Sequence, residues 1–166
     1  MLTREDTQTL ISAYFSQKDV FVKHHLESYN EFLNVIVPSI LNQYFPMTVK
    51  ATDKNNTVQE IQLKILSSVY EHPHYTEKNG CRKTMSPSIA RINNHTYSIS
   101  MYVNFAVYMK VKQDDTIVDL PLTEIKDVLF GKFPIPVKSE YCVSKNDPSS
   151  ECRYDQGGYF IVNGNE

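Results

Sequence analysis

Five side chains in this sequence have the chemistry to bind a metal ion: His72, His74, Cys81, Cys142 and Cys152. Zinc sites are usually built from close pairs such as Cys-x2-Cys, which bring two thiolates onto one turn of backbone. No such pair is present, and buried thiols with loop histidines are the simpler reading. Cys142 and His95 could act as nucleophile and base only if a distant loop delivered the imidazole to the thiol. Tandem His24-His25 points to adjacent sides of a helix, where His25 is expected to pack rather than react. Gly157-Gly158 leads into a strand-like run, whereas a phosphate-cradling loop opens a helix. No carboxylate cluster has metal-site spacing. The sequence therefore assigns no catalytic, cofactor-binding or metal-binding residue.

Charge is the remaining chemistry. Arg82-Lys83, Arg91, Lys110, Lys112, Lys132 and Lys138 could touch a phosphate backbone if the fold gathers them on one surface. Of these, Arg82, Lys83, Arg91, Lys132 and Lys138 are the candidate contacts. Aromatic side chains are not obviously interleaved with them as single-strand stacking needs, and solvated lysines are the default. The net charge of −2 excludes a strongly basic nucleic-acid module as the whole account. That charge is uneven. Residues 61–113 carry seven Lys/Arg against Glu71 and Glu77, while residues 114–166 carry five Lys/Arg against ten Asp/Glu. Such a split suits internal charge matching or two partners of different charge, with solvated faces the plainer alternative.

The elements that must position these residues are legible in part. Thr3 followed by Glu5 and Asp6 predicts a capped helix start, with Leu10, Ile11, Tyr14 and Phe15 as a short apolar face. Asp19 is expected to cap a second helix. Its stripe is Val22, Leu26, Tyr29, Leu33, Ile36 and Ile40, spaced by threes and fours. Pro38 cannot lie in a helix interior, so a break is expected near Asn34 with Pro38 in the first turn after it. Phe45-Pro46 ends the helical region. Asp53–Thr57 reads as a turn, and Ile61, Leu63 and Ile65 alternate as a half-buried strand. A loop is predicted from His72 to about Ser88. The clearest strand follows, with Tyr97, Ile99, Met101, Val103, Phe105, Val107, Met109 and Val111 on one face and a bend or bulge near its middle. Asp114-Asp115 marks a turn. Leu120–Phe130 suggests a short strand and then a helical turn, and Phe133-Pro-Ile-Pro-Val137 an edge or irregular strand. Lys145–Ser150 reads as a surface loop. In the tail, Tyr159–Val162 is strand-like and Asn163-Gly164 is a type I′ turn signal. The second strand of that hairpin is expected beyond Glu166.

At 166 residues, 41% hydrophobic, the chain is about one domain with a sizeable core. The pattern is α+β: N-terminal helices followed by a mainly antiparallel sheet. Three widely spaced cysteines are not a disulfide framework, which favours a reducing intracellular compartment. The N-terminus shows no signal-peptide core, and no apolar run reaches the roughly 18 residues of a membrane span.

Four blocks carry a family resemblance. The tail Cys152–Glu166 and the segment Leu129-Phe-Gly-Lys-Phe-Pro-Ile-Pro-Val-Lys-Ser-Glu-Tyr-Cys142 are two of them. They are similar to Gly-Lys-Leu-Pro-Ile-Met-Val-Arg-Ser and Glu-Cys-Pro-x-Asp-x-Gly-Gly-Tyr-Phe-Ile-x-Asn-Gly-Ser-Glu-Lys of the second-largest subunit of multisubunit DNA-directed RNA polymerases. The eukaryotic, archaeal and large-DNA-virus type is the best match. Ala90-Arg-Ile-Asn-Asn-His-Thr-Tyr-Ser-Ile-Ser-Met-Tyr-Val103 resembles that family's Ala-Arg-x-Arg-Asn-Leu-Thr-Tyr-Ser-Ala-Pro-Leu-Tyr-Val. Val22–Leu33 is similar to its N-terminal helix. Pro136 and Arg153 depart from the pattern, where Met and Pro are usual, as a divergent member would, a viral one included.

The resemblance implies the N-terminal part of the protrusion, on the outer wall beside the nucleic-acid cleft. Residues 1–166 would then need later sequence or another chain to complete the domain, as a fragment or the product of a split gene. It implies other polymerase subunits as partners, chiefly the largest subunit and the rest of this one, with DNA and RNA met through the assembled enzyme and no membrane. The whole enzyme would join ribonucleotides on a DNA template with Mg2+, held mainly by the largest subunit, and nothing in this chain would be catalytic. The location would be nucleus or cytoplasm, or a virion. The rival readings are a self-standing protein-interaction module derived from the polymerase fold, and a small thiol or metal enzyme.

Overall fold

The computed structural model describes residues 3–16, 20–52, 58–113, 116–145, 151–152 and 154–166. The expectations for Asp19, Asp53–Thr57 and Asp114-Asp115 lie outside the described residues, as does most of the Lys145–Ser150 loop. The chain divides into two compact units. One, the sheet unit, is Phe32–His72 with Ser98–Phe133; the other, the tail unit, is Met1–Glu31 with Pro73–Tyr97 and Pro134–Glu166. The architecture is α+β, as expected.

In the sheet unit four strands lie in the order β1-β2-β5-β6: β1 (Met47–Thr52), β2 (Val58–Glu71), β5 (Ser98–Gln113) and β6 (Thr116–Pro134). The β1–β2 and β2–β5 pairs are antiparallel. Period-two alternation on β5 turns Met101, Val103 and Phe105 into the core, against Leu63, Ile65 and Tyr70 of β2. The irregularity expected within β5 occurs on its partner: β2 shifts register between Ile65 and Ser67. An extra residue on the partner strand bends a long pair and increases its local twist equally well.

Over this face lies a π-helical turn, Phe32–Ile36, followed by α3 (Val37–Tyr44) with Pro38 in its first turn. The expected break near Asn34 is this π turn. It corrects the predicted stripe. A π turn adds one residue and rotates everything after it by about 100°, so Val37 (7% exposed) and Leu41 (6%) are buried while Ile36 (44%) and Ile40 (43%) are not. The Tyr70 hydroxyl donates to the Leu33 carbonyl at 2.9 Å, within this turn.

Two further expectations fail. Leu120–Phe130 contains no helical turn; β6 runs through it. As an outer strand it tolerates Pro121, which has no amide to offer. Its irregularity sits at Asp127, whose φ is +54° and whose amide donates to Asn104 Oδ1 at 2.7 Å. The predicted loop from His72 to Ser88 instead holds a short antiparallel hairpin, β3 (His74–Thr76) with β4 (Arg82–Thr84), and the start of α4 (Pro87–Ile92). Three-residue strands are too short for alternation to be seen.

In the tail unit, α1 (Arg4–Phe15) begins with the predicted cap: Thr3 and Asp6 form a reciprocal capping box. Its apolar face Leu10, Ile11, Tyr14 and Phe15 is exposed. α2 (Lys23–Glu31) buries Leu26. Among the described residues no helix is long and apolar enough to cross a membrane.

Candidate functional site

The tail unit gathers residues from all four blocks singled out in the sequence around residues 155–166. Gly157 and Gly158 have φ of +75° and +83°, a backbone that L side chains adopt only with strain. They bring the chain against Val137 and Val22: a Cβ on Gly157 would meet the Val137 carbonyl at 2.6 Å, and one on Gly158 would meet Val22 at 3.0 Å. Backbone bonds then hold the tail. Gly158 N donates to Val137 O (2.9 Å), Val137 N to Tyr159 O (2.9 Å), and Tyr97 N to Ile161 O (2.9 Å). Tyr97 O in turn accepts from Ile135 N at 3.0 Å. Tyr97, Ile135, Val137 and Ile161 are fully buried. Phe160 packs edge-on against His25 and Tyr29 of α2, with ring centroids 6.0 and 5.4 Å away. The Tyr29 hydroxyl donates to the Pro134 carbonyl.

This revises the hairpin expectation. Asn163 and Gly164 do have positive φ, +51° and +81°, as a type I′ turn needs. The turn closes through one bridge, Val162 with Asn165, rather than two regular strands. The backbone partners of Tyr159 and Ile161 are Val137 and Tyr97, already inside the chain.

Polar contacts reinforce the tail. Arg91, at the end of α4, donates through Nε to Glu166 (2.5 Å), Nη1 to Glu151 (3.0 Å) and Nη2 to the Tyr159 hydroxyl (2.7 Å). Burial works against its charge, but the bonds to Glu166 and Glu151 outweigh it and raise the pKa above the usual guanidinium range. The Tyr159 hydroxyl donates to Asp155, and burial together with that acceptor raises its pKa. Asp155 also accepts from Gly157 N at 2.8 Å, while Lys138 Nζ donates to the Asp155 carbonyl. Burial would raise the Asp155 pKa; the Tyr159 hydroxyl, the Gly157 amide and the charges of Lys138 and Arg91 more than offset this and lower it.

The five sequence-predicted phosphate contacts fall in three places. Arg91 and Lys138 belong to the tail network just described. Arg82 and Lys83 lie on β4, where Arg82 contacts the His74 ring (2.6 Å to Nε2) and Lys83 pairs with Glu77 (2.6 Å). Lys132 is exposed on β6, in the sheet unit. Lys110 lies on β5, and the Lys112 side chain is outside those described.

The candidate metal and thiol residues are also dispersed in role. Cys81 and Cys152 are exposed. Cys142 is buried, its sulfur 3.3 Å from the Tyr97 hydroxyl and 3.0 Å from that of Ser144. Burial, then the neighbouring Cys142, raises the Tyr97 pKa. His95 stacks near Tyr75 (6.3 Å between centroids). Among the described residues no group of three His, Cys, Asp or Glu side chains could hold a metal ion.

Sequence reasoning missed Asp155 and Glu151. An Asp two residues before a glycine, bonding that glycine's amide, is an Asx turn and was detectable. Glu151 had no local signal, because its partners Ser88 and Arg91 are far away in sequence.

The architecture is α+β, and the residues the four blocks share are used to fix the chain's own backbone, which makes this a framework site. The chain belongs to the RNA polymerase beta subunit family, whose model matches residues 20–166. It is 33% identical over 181 aligned positions to DNA-directed RNA polymerase II subunit 2 of Arabidopsis thaliana, covering 99% of this chain and 15% of that protein. It is 29% identical to DNA-directed RNA polymerase subunit Rpo2N of Methanothermobacter thermautotrophicus, covering 95% of this chain and 28% of the relative. Against DNA-directed RNA polymerase subunit 2 of Acanthamoeba polyphaga mimivirus the identity is 30%, over 95% of this chain and 13% of the relative. The chain thus spans about 15% of the length of the eukaryotic RNA polymerase II relatives it matches.

Proposed function

We propose that this chain is the N-terminal framework segment of the second-largest subunit of a DNA-directed RNA polymerase, part of the outer wall beside the nucleic-acid cleft. One observation carries the reading. The family match spans residues 20–166, and the four blocks behind the resemblance interlock through Val22, Arg91, Val137 and Gly157–Glu166. Its partners are then the largest subunit and the remainder of the second-largest one, with DNA and RNA met in the assembled enzyme. Mg2+ for nucleotide addition would be held outside this chain, chiefly by the largest subunit. The place of work is the nucleus or cytoplasm, or a virion if the source is a large DNA virus.

The test is to tag the chain in its native cells, capture it under mild conditions, and identify the co-purifying proteins by mass spectrometry. The largest polymerase subunit is expected, with Mg2+-dependent, template-directed ribonucleotide incorporation in the eluate. Recovery of the folded chain without any polymerase subunit overturns the reading. That outcome would favour the second reading, a self-standing interaction module derived from the polymerase fold. The pairing of Tyr159 and Ile161 within the chain supports this alternative, because the tail needs no outside strand at those positions.

A further inference from the structure

The sequence contains Asn-Gly twice, at Asn79-Gly80 and Asn163-Gly164. Beyond its use in turns, this dipeptide can close on itself, because glycine has no side chain to shield its nitrogen from the asparagine carboxamide. The structure treats the two pairs differently. At the tip of the β3–β4 hairpin, Gly80 N donates to Glu77 O at 2.9 Å and Glu77 N to Cys81 O at 2.9 Å. With Gly80 at φ +83°, this is a three-residue loop ending in a left-handed residue. Asn79 Oδ1 accepts the Cys81 amide at 2.8 Å, an Asx turn that folds the carboxamide over the backbone that follows it. Asn79 Nδ2 donates to Glu77 Oε2 at 3.1 Å. Glu77 Oε1 pairs with Lys83 at 2.6 Å, and that bond lowers the Glu77 pKa, keeping it an ionised acceptor. Asn79 and Gly80 are exposed, and the place a Gly80 Cβ would occupy is open space. The second pair is packed. Asn163 Oδ1 accepts from the Thr96 hydroxyl at 3.2 Å, and Gly164 N donates to His95 O at 3.1 Å. A Cβ on Gly164 would meet Asn94 Oδ1 at 2.7 Å and Arg91 O at 3.0 Å.

We propose that Asn79 is a site of self-modification: its carboxamide condenses with Gly80 N to a succinimide, which water opens to aspartate or isoaspartate. The bond from Gly80 N to Asn79 Cγ forms and the Cγ–Nδ2 bond breaks. The Gly80 amide proton passes to solvent, and Nδ2 takes up a proton and leaves as ammonia. Water then adds to either ring carbonyl, so the net change is carboxamide plus water to carboxylate plus ammonia, with no oxidant or reductant. The Cys81 amide, already on Oδ1, is placed to stabilise the charge that develops on that oxygen during attack. The Gly80 bond to Glu77 O must open first, and an exposed hairpin of three-residue strands opens locally. The product puts a second carboxylate beside Glu77, where a neutral donor stood, and like charges across a hairpin destabilise it. The isoaspartyl form also adds a methylene to the backbone of the loop. The hairpin thus carries an age-dependent change of charge and shape. This follows from the loop geometry and does not rest on the polymerase reading.

The experiment incubates the whole chain at neutral pH in water enriched in heavy oxygen and maps the label by peptide mass spectrometry over time. Isoaspartate is scored with an isoaspartyl carboxyl methyltransferase and a labelled methyl donor. Label is expected at residue 79 at least about ten-fold faster than at residue 163, a barrier difference of ~1.4 kcal/mol. In concentrated urea the two rates should converge, because the packing around Asn163-Gly164 is then gone. Gly80→Ala should slow labelling at residue 79 by roughly ten-fold, since a methyl group now flanks the attacking nitrogen and restricts its backbone, and should leave residue 163 unchanged. The comparison of the two sites within the unsubstituted chain needs no variant to fold. Labelling at residue 163 as fast as at residue 79 in the folded chain would overturn the proposal. So would an unlabelled residue 79 over a period in which the same segment, as a free peptide, is converted, or an unchanged rate in folded Gly80→Ala.

Discussion

Replacing Gly157 by alanine probes the tail where it packs most closely. Two separate costs apply. At φ +75° an alanine pays the left-handed penalty, about 1–2 kcal/mol. Its Cβ would also lie 2.6 Å from the Val137 carbonyl oxygen and 3.0 Å from the Lys138 Cβ. That oxygen cannot simply withdraw, because it accepts the Gly158 amide at 2.9 Å; overpacking of this kind costs about 1–3 kcal/mol. The sum is roughly 2–5 kcal/mol. Two other glycines separate the terms. Gly80 has φ +83° but open space around its Cβ position, so Gly80→Ala should cost only the dihedral term, about 1–2 kcal/mol. Gly131 has neither problem, and Gly131→Ala should change stability by no more than about 0.5 kcal/mol. The chain has no tryptophan, so urea and thermal unfolding are best followed by circular dichroism. At ~2–4 °C per kcal/mol for a chain of this size, Gly157→Ala should lower Tm by roughly 10 °C. If Gly157→Ala proves no more damaging than Gly80→Ala, the close approach of the tail to Val137 is wrong.

Arg91→Ala leaves Glu151, whose side chain is only 7% exposed, without its cation, and should cost about 3 kcal/mol in urea unfolding; Arg91→Lys keeps the charge but loses the fork and should recover part of this. Asp155 has a lowered pKa in the folded state. Its contribution is therefore fully present above the unfolded value near 3.9 and is lost as pH falls through the lower folded value. Urea midpoints at pH 6 and pH 3 should differ less in Asp155→Asn than in the parent chain. In the π-turn region, Leu41→Ala should cost about 2–4 kcal/mol, whereas Ile40→Ala, at an exposed position, should cost under about 1 kcal/mol. Equal effects at the two positions would restore the unshifted stripe.

The sequence carried some of this structure and not the rest, for identifiable reasons. Thr3, Pro38, the β5 alternation and Asn163-Gly164 act through local backbone geometry, and each is where its chemistry required. The Ile36 and Ile40 assignments failed because a π turn changes the phase of a helix without any residue that announces it. β6 was mistaken in part for a helical turn because pairing at a sheet edge overrode local propensity around Glu124–Asp127. The tail network was half visible: its glycines and turn could be read, but the convergence of Arg91, Glu151 and Glu166 depends on contacts between distant segments. Arg91 and Lys138 looked like candidates for an external anion; the structure gives both of them partners in the tail itself.

The central structural claim is that the tail is fixed by backbone pairing within the chain, and amide hydrogen exchange tests it most directly. The reporting amides are those of Tyr97 and Val137, since they donate to the Ile161 and Tyr159 carbonyls. In the isolated chain both should be protected, and Gly157→Ala should speed the exchange of both. Exchange of Tyr97 and Val137 at the rates of an unstructured peptide, in a chain whose other strands stay protected, would contradict the account.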